Sequence, residues 1–169
     1  MAIISPKRFQ RSRISQAEKT CQLLIFQAIS QPGAEWFALP IHSVIQVVPK
    51  GEIFTGSAAA GVGLTTYQGK ELLVIDLLAK VAKVFNQARL ENEVRTAIAG
   101  DYLIILSAGQ GTPVAIAVDE PPAVRRVPLT ALSPLPADYA KQLNTFSVSS
   151  LVIEAEQPTR LLLNPEQLL

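Results

Sequence analysis

The sequence predicts a mainly β fold: two small five-stranded barrels packed together, with one or two short helices. Three observations predict it. Short apolar, β-branched runs alternate with Gly- and Pro-containing turns along most of the chain. A 26-residue segment recurs without a gap. Hydrophobic residues make up 49% of the 169 and charged residues 17%. That is enough apolar material for a sizeable core and too little charge for a disordered chain.

The folded part is expected to begin at Cys21. Residues 23–29 (LLIFQAI) form an apolar, β-branched run. Ser30-Gln31-Pro32-Gly33 closes it as a turn, and residues 35–39 follow as a second strand. Residues 44–48 are a third strand, stopped by Pro49 and Gly51. Residues 61–66 and 71–75 flank Gln68-Gly69 as two more. Asp76 suits a helix N-cap, because its carboxylate can accept the first free backbone N–H groups. Leu77, Leu78, Val81, Ala82 and Phe85 recur behind it at helical spacing, which places a helix at about 76–88. Residues 86–100 read as a linker. Residues 102–107 and 114–118 are strands, Pro121-Pro122 break the chain, and residues 124–127 form another strand. Residues 128–144 hold Pro128, Pro134 and Pro136 and read as a loop with at most one helical turn. Residues 146–155 and 160–163 complete the strands, and a short helix is expected at the C-terminus. Leu24, Phe26, Trp36, Val74, Ile104 and Ile116 are the expected core.

The repeat supports two barrels. Residues 24–49 read LIFQAISQPGAEWFALPIHSVIQVVP, and residues 103–128 read LIILSAGQGTPVAIAVDEPPAVRRVP. Each runs strand, glycine turn, strand, break, short strand, proline. The ends of the units also correspond: Glu71 to Asp76 precedes an apolar helical pattern, and Arg160 to Asn164 precedes Pro165, well placed at a first helical position. Closing each small sheet on itself removes exposed edges. The barrel units are expected at roughly 21–88 and 101–169, with a strand or helix exchanged so that one unit is discontinuous.

Chemistry is sparse. His42 is the single histidine and Cys21 the single cysteine, so no metal-ligand set or internal disulfide can be assembled from them. Ser43 adjoins His42 but no third group completes a triad. The glycine pairs 61/63 and 109/111 miss the phosphate-cradling spacings and suit turns better. Asp119-Glu120, at a strand end, suits turn or capping roles. Arg125-Arg126 is a two-residue basic spot without an aromatic ladder. No catalytic residue, cofactor or metal is expected, which leaves a binding or scaffolding module. Val44, Gln46 and Val48 lie at i, i+2, i+4 and so share one face of a strand, opposite Ile45 and Val47. A strand apolar on both faces is unusual for a small barrel, and the Val44/Gln46/Val48 face is a candidate docking surface.

The repeat, the segment Trp36-Phe37-Ala38-Leu39-Pro40 leading into 44–48, the segment 69–77 (GKELLVIDL) and the segment 114–120 (VAIAVDE) together resemble the CheW-like domain family over residues 21–169. The resemblance implies two small five-stranded SH3-like barrels and a non-catalytic signalling adaptor. Such adaptors couple a methyl-accepting chemoreceptor to a CheA-type histidine kinase, whose regulatory domain has the same fold. It also implies a kinase-type contact at Val44, Gln46 and Val48 and a receptor-type contact at Thr66, Tyr67, Gln68 and Gly69. Four positions depart from the common pattern: Gln46 stands for an acidic residue, Gln68 for an arginine, Leu73 for a proline and Leu78 for an arginine. Charge has gone from the contact positions, as in a divergent member serving chemotaxis, phototaxis or type IV pilus motility.

Residues 1–20 carry five basic residues against Glu18, while residues 21–169 carry ten basic against thirteen acidic. This reads as a basic flexible tail on a near-neutral domain. No apolar run approaches the ~20 residues that span a bilayer, so the expected location is cytoplasmic, with no membrane insertion. With a net charge of +1, nucleic acid is not an expected partner. Alternative readings are a structural interaction module without receptor binding and a small-barrel nucleic-acid binder.

Overall fold

The computed structural model describes residues 17–30, 32–54, 61–80, 98, 100–145 and 147–169. Strands β1 (Thr20–Gln27), β2 (Trp36–Pro40), β3 (Val44–Pro49), β4 (Val62–Tyr67) and β5 (Lys70–Ile75) come from the first repeat. The second repeat supplies β6 (Tyr102–Ala108), β7 (Thr112–Val118), β8 (Ala123–Pro128), the two-residue β9 (Leu132–Ser133), β10 (Val148–Val152) and β11 (Arg160–Leu163). β3 and β8 lie 79 residues apart, as the ungapped repeat requires.

The strands form two sheets, ordered β3-β6-β7-β5-β4 and β8-β1-β2-β11-β10-β9. Each repeat therefore gives its first two strands to one sheet and the rest to the other. In sequence terms one barrel is continuous, from β3 to β7. The other is split, taking β1 and β2 from before it and β8 to β11 from after it. The barrels thus divide between β2 and β3 and between β7 and β8. The boundary expected at 88–101 falls instead inside the continuous barrel. Both sheets gain a parallel pair from this exchange, Leu161 opposite Phe37 and Val74 opposite Ala115.

Each sheet closes through a bent strand. After β8 a 3-10 turn, Leu129–Ala131, leads straight into β9, which pairs with β10. After β3 the chain reaches Phe54, which pairs with Leu64 on β4. Thr65 adds a side-chain bond from its hydroxyl to the Glu52 carbonyl at 2.7 Å.

The exchange explains why so many strands are apolar on both faces. Leu23, Ile25 and Ala38 fill the split barrel, and Leu72, Val74, Leu103 and Ile105 fill the continuous one. The alternate residues Leu24, Phe26, Phe37, Leu39, Ile104 and Ile116 form a third, larger core between the barrels. Phe26 and Phe37 stack there with ring centroids 5.7 Å apart. Period-two alternation thus sorts side chains between two cores instead of between core and water. Five of the six expected core residues are fully buried. Trp36 is half-buried, because it sits at the first position of β2, at the rim of the split barrel.

Asp76 caps a helix as expected, its Oδ1 accepting the N–H groups of Leu78 and Ala79 at 3.0 and 3.2 Å. Residues 77–80 are helical; the remainder of the helix expected at 76–88 lies outside the described residues. Asn164 likewise accepts the Glu166 N–H at 3.1 Å and caps the short helix expected at the C-terminus, a 3-10 turn at Pro165–Gln167. The region read as a loop instead contains α1 (Ala137–Thr145). Pro134 and Pro136 precede the helix and do not interrupt it. The Pro136 carbonyl accepts the Ala140 N–H at 2.9 Å, and Leu143 is buried. The tail expected over 1–20 falls mostly outside the described residues, and β1 begins at Thr20.

One buried charge is built into the split barrel. Arg160 at the start of β11 is 2% exposed. Its Nη1 donates to Glu154 Oε1 at 2.6 Å and its Nη2 to Gln157 Oε1 at 3.1 Å, while Nε has no partner among the described residues. The same Glu154 oxygen lies 3.4 Å from Arg125 Nε.

Candidate functional site

The residues singled out on β3 do not share a face. Val44 pairs with Leu106 and Gln46 with Ile105, so the register slips by one residue between them and Ile45 is left over. A bulge of this kind breaks period-two alternation. Ile45 is turned to solvent, 55% exposed, and Gln46 is exposed beside it. Val44 and Val47 pack on the core between the barrels, and Val48 packs into the continuous barrel. The expectation of one Val44/Gln46/Val48 surface is corrected accordingly: Gln46 is the exposed member, and its exposed neighbour is Ile45.

Thr66, Tyr67, Gln68 and Gly69 close the β4–β5 hairpin, with Tyr67 paired to Lys70. Gln68 and Gly69 have φ of 49° and 74°, as a two-residue turn with both central residues left-handed requires. Gly69 adopts this without cost, whereas a residue with a Cβ is strained there. Thr66 and Gln68 are exposed, and Tyr67 is half-buried with its ring against the core of the continuous barrel.

The tyrosine hydroxyl brings the two candidate sets together. Tyr67 Oη donates to Gln46 Oε1 at 2.5 Å and accepts from Gln68 Nε2 at 3.2 Å. Gln46, from the set expected to make the kinase-type contact, and Tyr67 and Gln68, from the set expected to make the receptor-type contact, thus form one hydrogen-bonded cluster. It lies on the seam where β3 and β4 close the barrel. Farther along this seam Phe54 and Leu64 exchange backbone bonds of 2.7 and 2.8 Å. Their side chains stand exposed, 66% and 42%. None of Ile45, Gln46, Phe54, Leu64, Thr66, Tyr67 or Gln68 is charged.

Sequence reasoning missed Ile45, Phe54 and Leu64. Phe54 carried a signal, a lone aromatic in a glycine-rich stretch. Ile45 carried none, because its exposure follows from the register against β6.

The other candidates have structural partners. Ser43 Oγ donates to the Pro40 carbonyl at 2.7 Å. Asp119 Oδ2 accepts the Ser30 N–H at 2.9 Å and Glu120 Oε1 accepts the Ser30 hydroxyl at 2.7 Å, tying two turns together. His42 is exposed in a 3-10 turn. Among the described residues no group of three or more His, Cys, Asp or Glu could hold a metal, and no helix is long and apolar enough to cross a membrane.

A family model described as a CheW-like domain matches residues 23–169. A solved structure, the scaffolding protein TtCheW from Thermoanaerobacter tengcongensis, matches with a TM-score of 0.65 and 17% sequence identity. The match covers 91% of this chain and 90% of that one. No curated protein sequence matches the chain.

Proposed function

The chain belongs to the CheW-like domain family, and from that premise we propose that it is a non-catalytic adaptor linking a methyl-accepting chemoreceptor to a CheA-type histidine kinase. The exposed seam of the continuous barrel, with Ile45, Phe54 and Leu64 standing out from it, carries this reading. It is an exposed, partly apolar strip on a protein whose other candidate groups are engaged in turns and caps, and surfaces of that kind mark protein contacts. The kinase-type partner, a regulatory domain of the same fold, docks on the Ile45/Gln46 side. The receptor tip docks on the Thr66 to Gly69 side. The two contacts adjoin at Gln68, which lies on their border within reach of both partners through its bond to Tyr67. The family's usual ion pairs are replaced by neutral contacts, which suits a divergent array of the phototaxis or pilus type.

A nucleic-acid reading has less support, since Arg125 is engaged by Glu154.

Binding measured by calorimetry tests the proposal, with the kinase regulatory domain and a receptor tip fragment titrated separately and then together. Ile45→Asp is expected to abolish kinase binding and spare receptor binding. Gln68→Arg is expected to tighten receptor binding at low salt, because a charge-assisted hydrogen bond is worth about 1.5–3 kcal/mol and a neutral one about 0.5–1.5. Native protein that binds neither partner refutes the reading.

A further inference from the structure

The geometry points to Tyr67 as a positioning residue that presents the Gln46 and Gln68 carboxamides as a matched donor–acceptor pair for an uncharged amide of the docked kinase-type domain. This inference rests on the adaptor reading and adds to it the chemistry of the contact.

A phenol hydroxyl has one hydrogen to donate and lone pairs to accept with. It therefore cannot hold two carboxamides in the same orientation. Here it donates to the oxygen of Gln46 and accepts from the nitrogen of Gln68. The groups left facing outward are complementary: the Gln46 amide keeps both N–H donors, and the Gln68 amide keeps its carbonyl oxygen and one N–H. A donor beside an acceptor is the complement of another amide, whether a peptide group or an Asn or Gln side chain. A carboxylate offers acceptors only and an ammonium donors only, so either leaves half of the pair unmatched.

Exposed glutamines ordinarily carry large rotamer freedom and contribute little to binding, because ordering them costs conformational entropy. The hydroxyl removes part of that cost before the partner arrives. Tyr67 can act as a fixed strut because its ring is packed on the core of the continuous barrel. Gln68 adds a second constraint, its backbone being held at φ 49° by the turn. Tyr67 itself need not touch the partner.

The test uses the full chain and a purified CheA-type regulatory domain at low and high salt. Tyr67→Phe keeps the packed ring and deletes the strut. It is expected to weaken binding about three- to tenfold, the equivalent of one neutral hydrogen bond, with an unchanged melting temperature. Gln46→Glu keeps an acceptor for the hydroxyl but removes both outward donors. It is expected to weaken binding at least as much and to make it salt-dependent, whereas native binding changes little with salt. If native protein binds and both variants bind equally well, the inference is overturned and the adaptor reading stands. If native protein does not bind, or Ile45→Asp binds as tightly as native, the adaptor reading falls with it.

Discussion

Removing Glu154 tests how the split barrel tolerates a buried cation. Arg160 is 2% exposed and Glu154 Oε1 is its only anionic partner among the described residues, at 2.6 Å. Among the described residues its Nε already lacks a partner, so none of them offers the guanidinium a further bond to fall back on. Glu154→Ala leaves a buried charge held by the Gln157 amide alone. Breaking one side of a buried pair costs about 3–5 kcal/mol, because the remaining ion stays desolvated. Glu154→Gln retains an acceptor but loses the charge and should cost about 2 kcal/mol, the difference between charged and neutral hydrogen bonds plus part of that desolvation. Arg125 offers an internal control. It meets the same oxygen at 3.4 Å with 42% of its side chain exposed, and a pair so exposed contributes about 0–1 kcal/mol. Urea denaturation with fluorescence from Trp36, which pairs with Arg160 across β2 and β11, reads the same barrel. The ordering expected is Glu154→Ala, then Glu154→Gln, then Arg125→Ala. A Glu154→Ala loss under about 1 kcal/mol, or an Arg125→Ala loss as large as that of Glu154→Ala, refutes the assignment of Arg160 as the dependent charge.

Three further outcomes are expected. Val44→Asp should lower stability by about 1–3 kcal/mol, since it puts a carboxylate against the core between the barrels, while the neighbouring Ile45→Asp should change it by less than about 0.5 kcal/mol; thermal melts of the two variants check the bulge. Gly100→Ala should cost about 2–4 kcal/mol, because φ is +124° and the new Cβ would lie 2.8 Å from the Val118 backbone; chemical denaturation measures it. Gln68→Asn should raise stability by about 0.5–1 kcal/mol, as asparagine tolerates the left-handed conformation better, yet weaken docking through loss of the link to Tyr67; a melt and a titration on the same sample separate the two.

Local signals are legible in the sequence. Asp76 and Asn164 are readable as caps because a cap depends on its own side chain and the next three residues. The repeat is readable because β3 and β8 hold equivalent places. The features that escape depend on distant partners. The bulge at Ile45 exists only against β6. The helix at Ala137–Thr145 is hidden because Pro134 and Pro136, ordinarily helix breakers, precede its first turn. Two apolar faces on Leu103 to Leu106 cannot be sorted in advance, since both are core and only the packing of barrel on barrel assigns them. The proposed docking seam is half-legible: Gln46 and the 66–69 turn stand out, but nothing local says that one hydroxyl joins them.

The interleaving of the two barrels also sets an order in time. As the chain is made from its N-terminus, β3 to β7 can complete a sheet once Val118 has emerged. β1 and β2 come first yet finish last, for β2 has its second neighbour only when Arg160–Leu163 arrives. Until then the Phe26 and Phe37 faces of the first hairpin have one usable surface, the outside of the continuous barrel. That barrel therefore serves as a template on which the waiting hairpin is held, and it shields a strand pair that would otherwise invite association between chains. Substitutions in the core between the barrels should accordingly impair yield during synthesis more than their effect on the finished protein's stability would suggest. Refolding of the full-length chain, in which all strands are present at once, should be less sensitive to them.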